Sequence, residues 1–359
     1  MEHIFSFHLR NLRLPLPLTM ACDLVCRSTT HKVELLHNKP PVFGPEINRR
    51  TFMKVGAQAA VAAAALQHGA IAEDIARKKY EPFALGLLIK PYPDPEAKIA
   101  LVRQLGIPTC FLSLDGYLGK FTPELAKRMR DSLEKHQVIA TTAEVVNPPP
   151  LKWNFVDGPS TIGIVPRAYR AARIDALKQT SDFAKMLGVD KIQTHCGFMP
   201  ENPREPLYEE TVKAIRELTL HCAGNGQSFL METGQETPTT MLRVIKDVNH
   251  PALGVGLDTA NLILYGKANP VDAIKMLGPY VRAMHAKDGK WPTNPLELGQ
   301  EVVIGQGEVD FAGVFRGLRA AGYKGAVSIE RETSGAQQIE DVRKEKIYLE
   351  RVLAETKKA

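Results

Sequence analysis

The amino-acid sequence predicts an α/β protein, a single (β/α)8 TIM barrel preceded by an N-terminal leader. Three observations point there. From Tyr80 onward, short β-like runs alternate with helical ones over a length close to that of one such barrel. One helix-to-strand joint recurs in Leu105-Gly106, Leu187-Gly188 and Ala321-Gly322, where glycine just past a helix end permits the left-handed turn into a strand. Four later apolar runs each stop at a side chain able to bind a metal: Ser228-Phe-Leu-Met-Glu232, Gly254-Val-Gly-Leu-Asp258, Val281-Arg-Ala-Met-His285 and Ala326-Val-Ser-Ile-Glu330.

In chain order, Phe83 to Ile89 reads as the first strand and Asp94 to Leu105 as the first helix. Thr109 to Leu114 follows, then a helix from Pro123 to His136 with Thr122 as its N-cap and proline in its first turn. Ile139 to Val145 is the third strand, and the triple proline at Pro148 to Pro150 opens a long loop containing Trp153. A helix is expected from Pro166 to Leu187, with Ile174, Leu177, Ala184 and Leu187 on one face, leading to a fourth strand at Lys191 to Thr194. The loop Cys196 to Arg204 and a helix from Leu207 to Ala223 precede the four terminal strands. Helices near Thr239 to Val248 and Val271 to Met276 separate these strands, and Phe311 to Ala320 precedes the last. Glu232, Asp258 and His285 follow one another at 26 and 27 residues. The step to Glu330 is longer because Asp288 to Gly307, rich in Gly, Pro and Lys, reads as an inserted loop. A doubly wound open sheet is the main rival, and no glycine-rich phosphate fingerprint follows the first strand.

The leader carries its own signals. Of the chain's formal charge of +6, a surplus of four lies in the first 72 residues, so the basicity carries no nucleic-acid inference. Asn48-Arg-Arg-Thr-Phe-Met-Lys54, an Ala/Val-rich run and Ala70-Ile-Ala72 read as a twin-arginine export signal over residues 48–72, with the periplasm as destination. Gln58, Gln67 and His68 interrupt that run, which argues against a membrane anchor. Residues 1–47 show no periodicity and read as a disordered segment, or as translated from a start codon placed too early. The barrel is assigned to residues 80–359. Cys22 and Cys26 lack the second pair of a zinc ribbon, and Cys110, Cys196 and Cys222 form no disulfide framework.

Side chains alternate along a strand, so Glu232 shares a face with Ser228 and Leu230, Asp258 with Gly254 and Gly256, His285 with Val281 and Ala283, and Glu330 with Ala326 and Ser328. The opposite faces carry Phe229, Met231, Val255, Leu257, Met284, Val327 and Ile329, the bulkier set expected beneath the helices. In a closed barrel the smaller face points inward, and the four terminal residues meet at the carboxyl-end mouth. Any one of them alone reads as an ordinary residue opening a loop; four with one parity and one placement read as a common site. Three carboxylates and one imidazole suit Mn²⁺ as first choice, with Mg²⁺ or Co²⁺ as alternatives.

With those strand ends, Thr194-His195-Cys-Gly-Phe-Met-Pro200, Asn261-Leu-Ile-Leu-Tyr-Gly266 and Gly305-Gln-Gly-Glu-Val-Asp-Phe311, the chain from Tyr80 resembles the xylose isomerase-like sugar isomerase/epimerase family. The resemblance implies that Glu232, Asp258, His285 and Glu330 hold one divalent metal and that Glu232 and Glu330 flank the carbon exchanging its proton. It implies a small carbohydrate substrate, no nucleic-acid partner, and leaves room for a homo-oligomer. Where the 3-epimerases of this family carry a histidine and an arginine, Asn261 and Trp291 stand here, which sets free-ketohexose epimerisation in doubt. His195, Lys287 and Glu236 are candidate substrate contacts, each equally readable as a solvated or paired loop residue. The function expected is a metal-dependent sugar or keto-sugar isomerase or epimerase. A lyase or dehydratase on a keto-glycoside or inosose would use the same proton abstraction, and a non-catalytic exported sugar-binding protein would keep the fold without the chemistry. A multinuclear zinc nuclease would need more strand-end histidines than His195 and His285.

Overall fold

The computed structural model describes residues 80–357 apart from Asn147. The expected export signal at 48–72, the segment 1–47 and Cys22 and Cys26 lie outside the described residues. Strands β1 (Leu85–Ile89), β2 (Thr109–Ser113), β3 (Ile139–Glu144), β4 (Lys191–Thr194), β5 (Ser228–Glu232), β6 (Leu253–Asp258) and β7 (Val281–Ala286) run parallel. After a hairpin of β8 (Asp288–Lys290) and β9 (Gln300–Val302), β10 (Val327–Ile329) pairs with β7 on one side and β1 on the other, closing an eight-stranded barrel. The expected TIM barrel is therefore the fold.

The helices are α1 (Pro95–Gln104), α2 (Pro123–Lys135), α3 (Gly158–Thr161), α4 (Arg167–Leu187), α5 (Pro206–Gly224), α6 (Pro238–Val248), α7 (Thr259–Leu264), α8 (Pro270–Leu277), α9 (Phe311–Ala320) and α10 (Gly335–Lys357). Asp94, Thr122, Thr237 and Asp310 cap α1, α2, α6 and α9 by accepting hydrogen bonds from backbone N–H groups three residues on. Gly106, Gly188 and Gly322 all have positive φ at the recurring helix-to-strand joint. Among the described residues no helix is long and apolar enough to cross a membrane.

Strand alternation divides the core as the sequence indicated. Phe111, Leu230 and Ala283, with Leu88 against them, form a small cluster inside the barrel. Phe229, Met231, Val255, Leu257, Met284, Val327 and Ile329 belong to the larger cluster between strands and helices. Cys110, Cys196 and Cys222 are buried free thiols.

Two anchors shape the loops at the mouth. The guanidinium of Arg173, buried on α4, donates to the carbonyls of Pro148, Pro150 and Gly163, pinning both ends of the loop that carries Trp153. At Gly163 (φ +72°) and Gly197 (φ +99°) two backbones cross so closely that a Cβ on either would overlap the other chain segment. The second anchor is Asp288. The expected loop 288–307 contains the β8–β9 hairpin instead, and the carboxylate of Asp288 gathers its far end. Oδ1 accepts from Gly289 and Val309 N–H at 2.9 and 3.1 Å, and Oδ2 from Gly305 and Gly307 N–H at 2.9 Å each. Composition hid this hairpin, because Gly, Pro and Lys weaken strand signals while a single acidic side chain supplies the order. Asp288→Ala leaves four backbone donors without this acceptor. We expect a loss of about 3 kcal/mol or more in urea unfolding, since each buried donor left unsatisfied costs ~1–3 kcal/mol. A change near zero would show that water replaces the carboxylate.

Candidate metal centre and active site

The parallel register places the ends of β5, β6, β7 and β10 side by side. Asp258 pairs with His285 across β6 and β7, and Ser328 pairs with His285 across β7 and β10. Glu232, Asp258, His285 and Glu330 each bring one ligand atom within 4.8 Å of all the others. A single imidazole nitrogen faces all three carboxylates: His285 Nδ1 lies 2.9 Å from Glu330, 3.2 Å from Glu232 and 3.9 Å from Asp258. One N–H cannot satisfy three acceptors, and among the described residues Oδ2 of Asp258 is buried without a hydrogen-bond partner. A divalent cation fits this donor set because it can share all four ligands at once. Phe111 holds the imidazole from inside the barrel, its ring 4.3 Å from that of His285 in an edge contact.

Asp258 does two jobs. Its Oδ1 accepts from Asn261 N–H at 2.7 Å and so begins α7, which leaves Oδ2 for the cluster. Its backbone is fixed by reciprocal hydrogen bonds with the Thr233 hydroxyl. Lys287, two residues beyond His285, is buried with Nζ 2.6 Å from Glu332, 3.6 Å from Glu330 and 4.0 Å from Asp258. Lys287, predicted as a substrate contact, also links the cluster carboxylates Asp258 and Glu330 to the half-exposed Glu332. His195 directs Nε2 to Glu232 Oε2 at 3.3 Å, and its Nδ1 meets the Gln235 side-chain amide at 3.1 Å.

Charge is divided unevenly across the cluster. Burial pushes the Glu330 carboxyl up, but Lys287 and His285 outweigh it and hold the group well below the ordinary carboxyl range. Glu232 is likewise pushed up by burial, yet His195 and His285 keep it on the low side. Burial dominates at Asp258 and raises it well above the usual value, Lys287 opposing. For His285 and Lys287 burial lowers basicity, but the facing carboxylates more than reverse it. Glu232 and Glu330 are thus the two carboxyls of the cluster whose surroundings favour the anion.

Sequence reasoning did not single out Glu144, which ends β3 on the same rim. Its carboxyl is raised well above normal by burial and by Glu232. The signal was present, since Glu144 is another strand-end carboxylate, but it fell one residue inside the expected strand. Tyr265 was also passed over; its hydroxyl is buried with no hydrogen-bond partner among the described residues.

Glu236, predicted to touch substrate, is almost wholly buried, and among the described residues neither of its oxygens has a hydrogen-bond partner. Burial raises its pKa from 4.5 to about 8. The folded state therefore keeps a proton that the unfolded chain releases above pH 4.5, so stability falls as pH climbs from 4.5 through about 8. Glu236→Gln removes that slope of about 1.4 kcal/mol per pH unit. Urea unfolding between pH 5 and 9 should show the variant gaining on the wild type as pH rises; parallel curves would show that the carboxyl is solvated.

The fold and this cluster define a (β/α)8 barrel with a carboxylate-rich cluster at its mouth that could hold a metal ion. The family model described as xylose isomerase-like TIM barrel matches residues 99–352, and the chain belongs to that family. A xylose isomerase domain protein from Planctomyces limnophilus is 30% identical, with a TM-score of 0.73 over 77% of this chain and 100% of that one. L-ribulose 3-epimerase shares the fold at 18% identity and a TM-score of 0.60, covering 77% of this chain and 96% of the other. The uncharacterized protein MJ1311 of Methanocaldococcus jannaschii is 24% identical over 174 residues, 45% of this chain and 58% of its own length.

Proposed function

We propose that this protein is a divalent-metal-dependent sugar or keto-sugar isomerase or epimerase, with Mn²⁺ as the preferred ion. The observation that carries the reading is the convergence of Glu232 and Glu330 with Asp258 and His285 within 4.8 Å at the barrel mouth. The likeness to L-ribulose 3-epimerase, a protein whose name states epimerisation of a sugar, supports it.

A divalent ion bound by these four residues would supply the Lewis acidity that makes a C–H beside a carbonyl removable. Glu232 takes that proton: its C–H bond breaks, the electron pair moves to the carbonyl oxygen, and an enediolate results. His195, 3.3 Å from the receiving carboxylate, orients it through Nε2. Glu330 is the second proton carrier, and it delivers a proton to the other face only after taking one from solvent. Return of a proton to the same carbon from the other face gives an epimer; return to the neighbouring carbon, with the hydroxyl proton passing to the former carbonyl oxygen, gives an isomer.

The test combines metal analysis of the purified protein with proton NMR in D₂O over a panel of keto-sugars. Exchange of the proton beside the carbonyl, dependent on Mn²⁺, Mg²⁺ or Co²⁺, is the expected result. Binding without exchange across the panel would make the protein a sugar binder, and net loss of water or aglycone would make it a lyase.

A further inference from the structure

Three of the four cluster residues are held within the strand ladder. Glu232 and Asp258 close β5 and β6, and His285 lies inside β7. Glu330 is placed differently, because β10 has three residues and ends at Ile329, just before it. Glu330 N–H still donates to the Ala286 carbonyl at 3.0 Å, but strand pairing of β10 goes no further. Where the carboxylate sits therefore depends on what grips the next two residues. Arg331 does most of this. Its Nη1 lies 2.8 Å from Glu301 on β9, and its Nε lies 3.0 Å from Asp341 and 3.9 Å from Glu345 on α10. Its carbonyl accepts from the Gln338 side-chain amide at 2.7 Å, so one face of α10 supplies three of the contacts. Glu301 also accepts from Glu332 N–H at 3.1 Å, and Glu332 in turn meets Lys287 at 2.6 Å. The Arg331 side chain is 11% exposed, that of Asp341 3%, and that of Glu345 wholly buried.

We propose that Arg331 is a positioning residue for the ligand cluster: by clamping the chain just after Glu330 to α10 and to the β8–β9 hairpin, it holds the Glu330 carboxylate where the other three ligands can share a cation with it. The inference rests on the function proposed above, since it takes Glu330 as one of the four metal ligands. Arg331 reaches away to α10 and acts on Glu330 through the backbone. It does for a ligand beyond a strand end what the ladder does for the other three. The guanidinium suits this task because its rigid fork serves carboxylates in different directions at once, whereas an ammonium is a single point charge. Without it, residues 331 and 332 lose their fastening to two elements, and Glu330 is free to leave its 2.9 Å contact with His285 Nδ1. Partners behind a metal ligand typically contribute about 10- to 100-fold in affinity or activity.

Isothermal titration with Mn²⁺ and proton NMR of the metal-free protein test this together. Arg331→Met is expected to bind Mn²⁺ roughly tenfold or more weakly than wild type. Arg331→Lys keeps the charge but cannot bridge α10 and β9 at once, and its affinity should fall between the two. Met129→Ala opens a cavity in the buried face of α2 and controls for general loss of stability; it should bind Mn²⁺ as wild type does. In the metal-free protein the His285 imidazole N–H facing Glu330 should give a downfield proton resonance, assigned by its loss in His285→Asn, that moves in both Arg331 variants. Wild-type Mn²⁺ affinity in a folded Arg331 variant, or an unmoved resonance, would overturn the assignment. Should Arg331→Met fail to fold, Arg331→Lys decides the matter. If the wild-type protein binds no divalent ion, the function proposed above fails, and the resonance by itself decides whether Arg331 places Glu330.

Discussion

Glu232→Gln is expected to slow solvent exchange of the substrate proton by roughly 10²–10⁴-fold, the span usually associated with a positioned general base. Glutamine preserves shape and can still meet His195 and the Asn261 amide, whose Nδ2 lies 3.5 Å from Glu232 Oε1. What it lacks is a lone pair basic enough to accept a carbon-bound proton. Because Glu232 is also one of the four residues proposed to hold the metal, exchange must be measured with the ion at saturation and occupancy checked directly. Exchange at the wild-type rate in an occupied variant would remove Glu232 from the proton path and leave Glu330 or Glu144 as the base.

Removal of divalent ions is expected to have the other large effect. Dialysis against EDTA should abolish exchange, and Mn²⁺ at 1,000 times its dissociation constant should restore it while stabilising the fold by about 4 kcal/mol. For a chain of this size that corresponds to a rise in Tm of roughly five to seven degrees. The physical basis is the crowding of three carboxylates on one imidazole nitrogen, an arrangement that protein donors alone leave unsatisfied. Unchanged melting and unchanged exchange in chelated protein would exclude a metal role for the cluster.

The barrel and the four clustered residues were legible because both depend on short-range rules. Strand alternation decides which side chains face inward, and Glu232, Asp258, His285 and Glu330 all obey it at strand ends. What stayed hidden depends on partners far away in the chain. Lys287 reads as a loop lysine until Glu332, 45 residues on, is seen 2.6 Å from it. Glu236 reads as a rim carboxylate, but the fold buries both oxygens. The hairpin after β7 has weak strand propensity and is organised by the Asp288 carboxylate. Helix α7, only six residues long, begins at the same aspartate that joins the cluster, and its apolar Leu-Ile-Leu run resembles a strand as much as a helix.

Arg173 has a consequence for anyone who would re-engineer the mouth. The guanidinium sits on a helix outside the barrel, yet three carbonyls of the loop bearing Trp153 depend on it. Transplanting residues 148–163 alone into a homologous scaffold would deliver the indole without its fastening. A graft that aims to transfer specificity must bring along Arg173, together with Gly163 and Gly197 at the crossing, or the imported segment will arrive with its geometry unset.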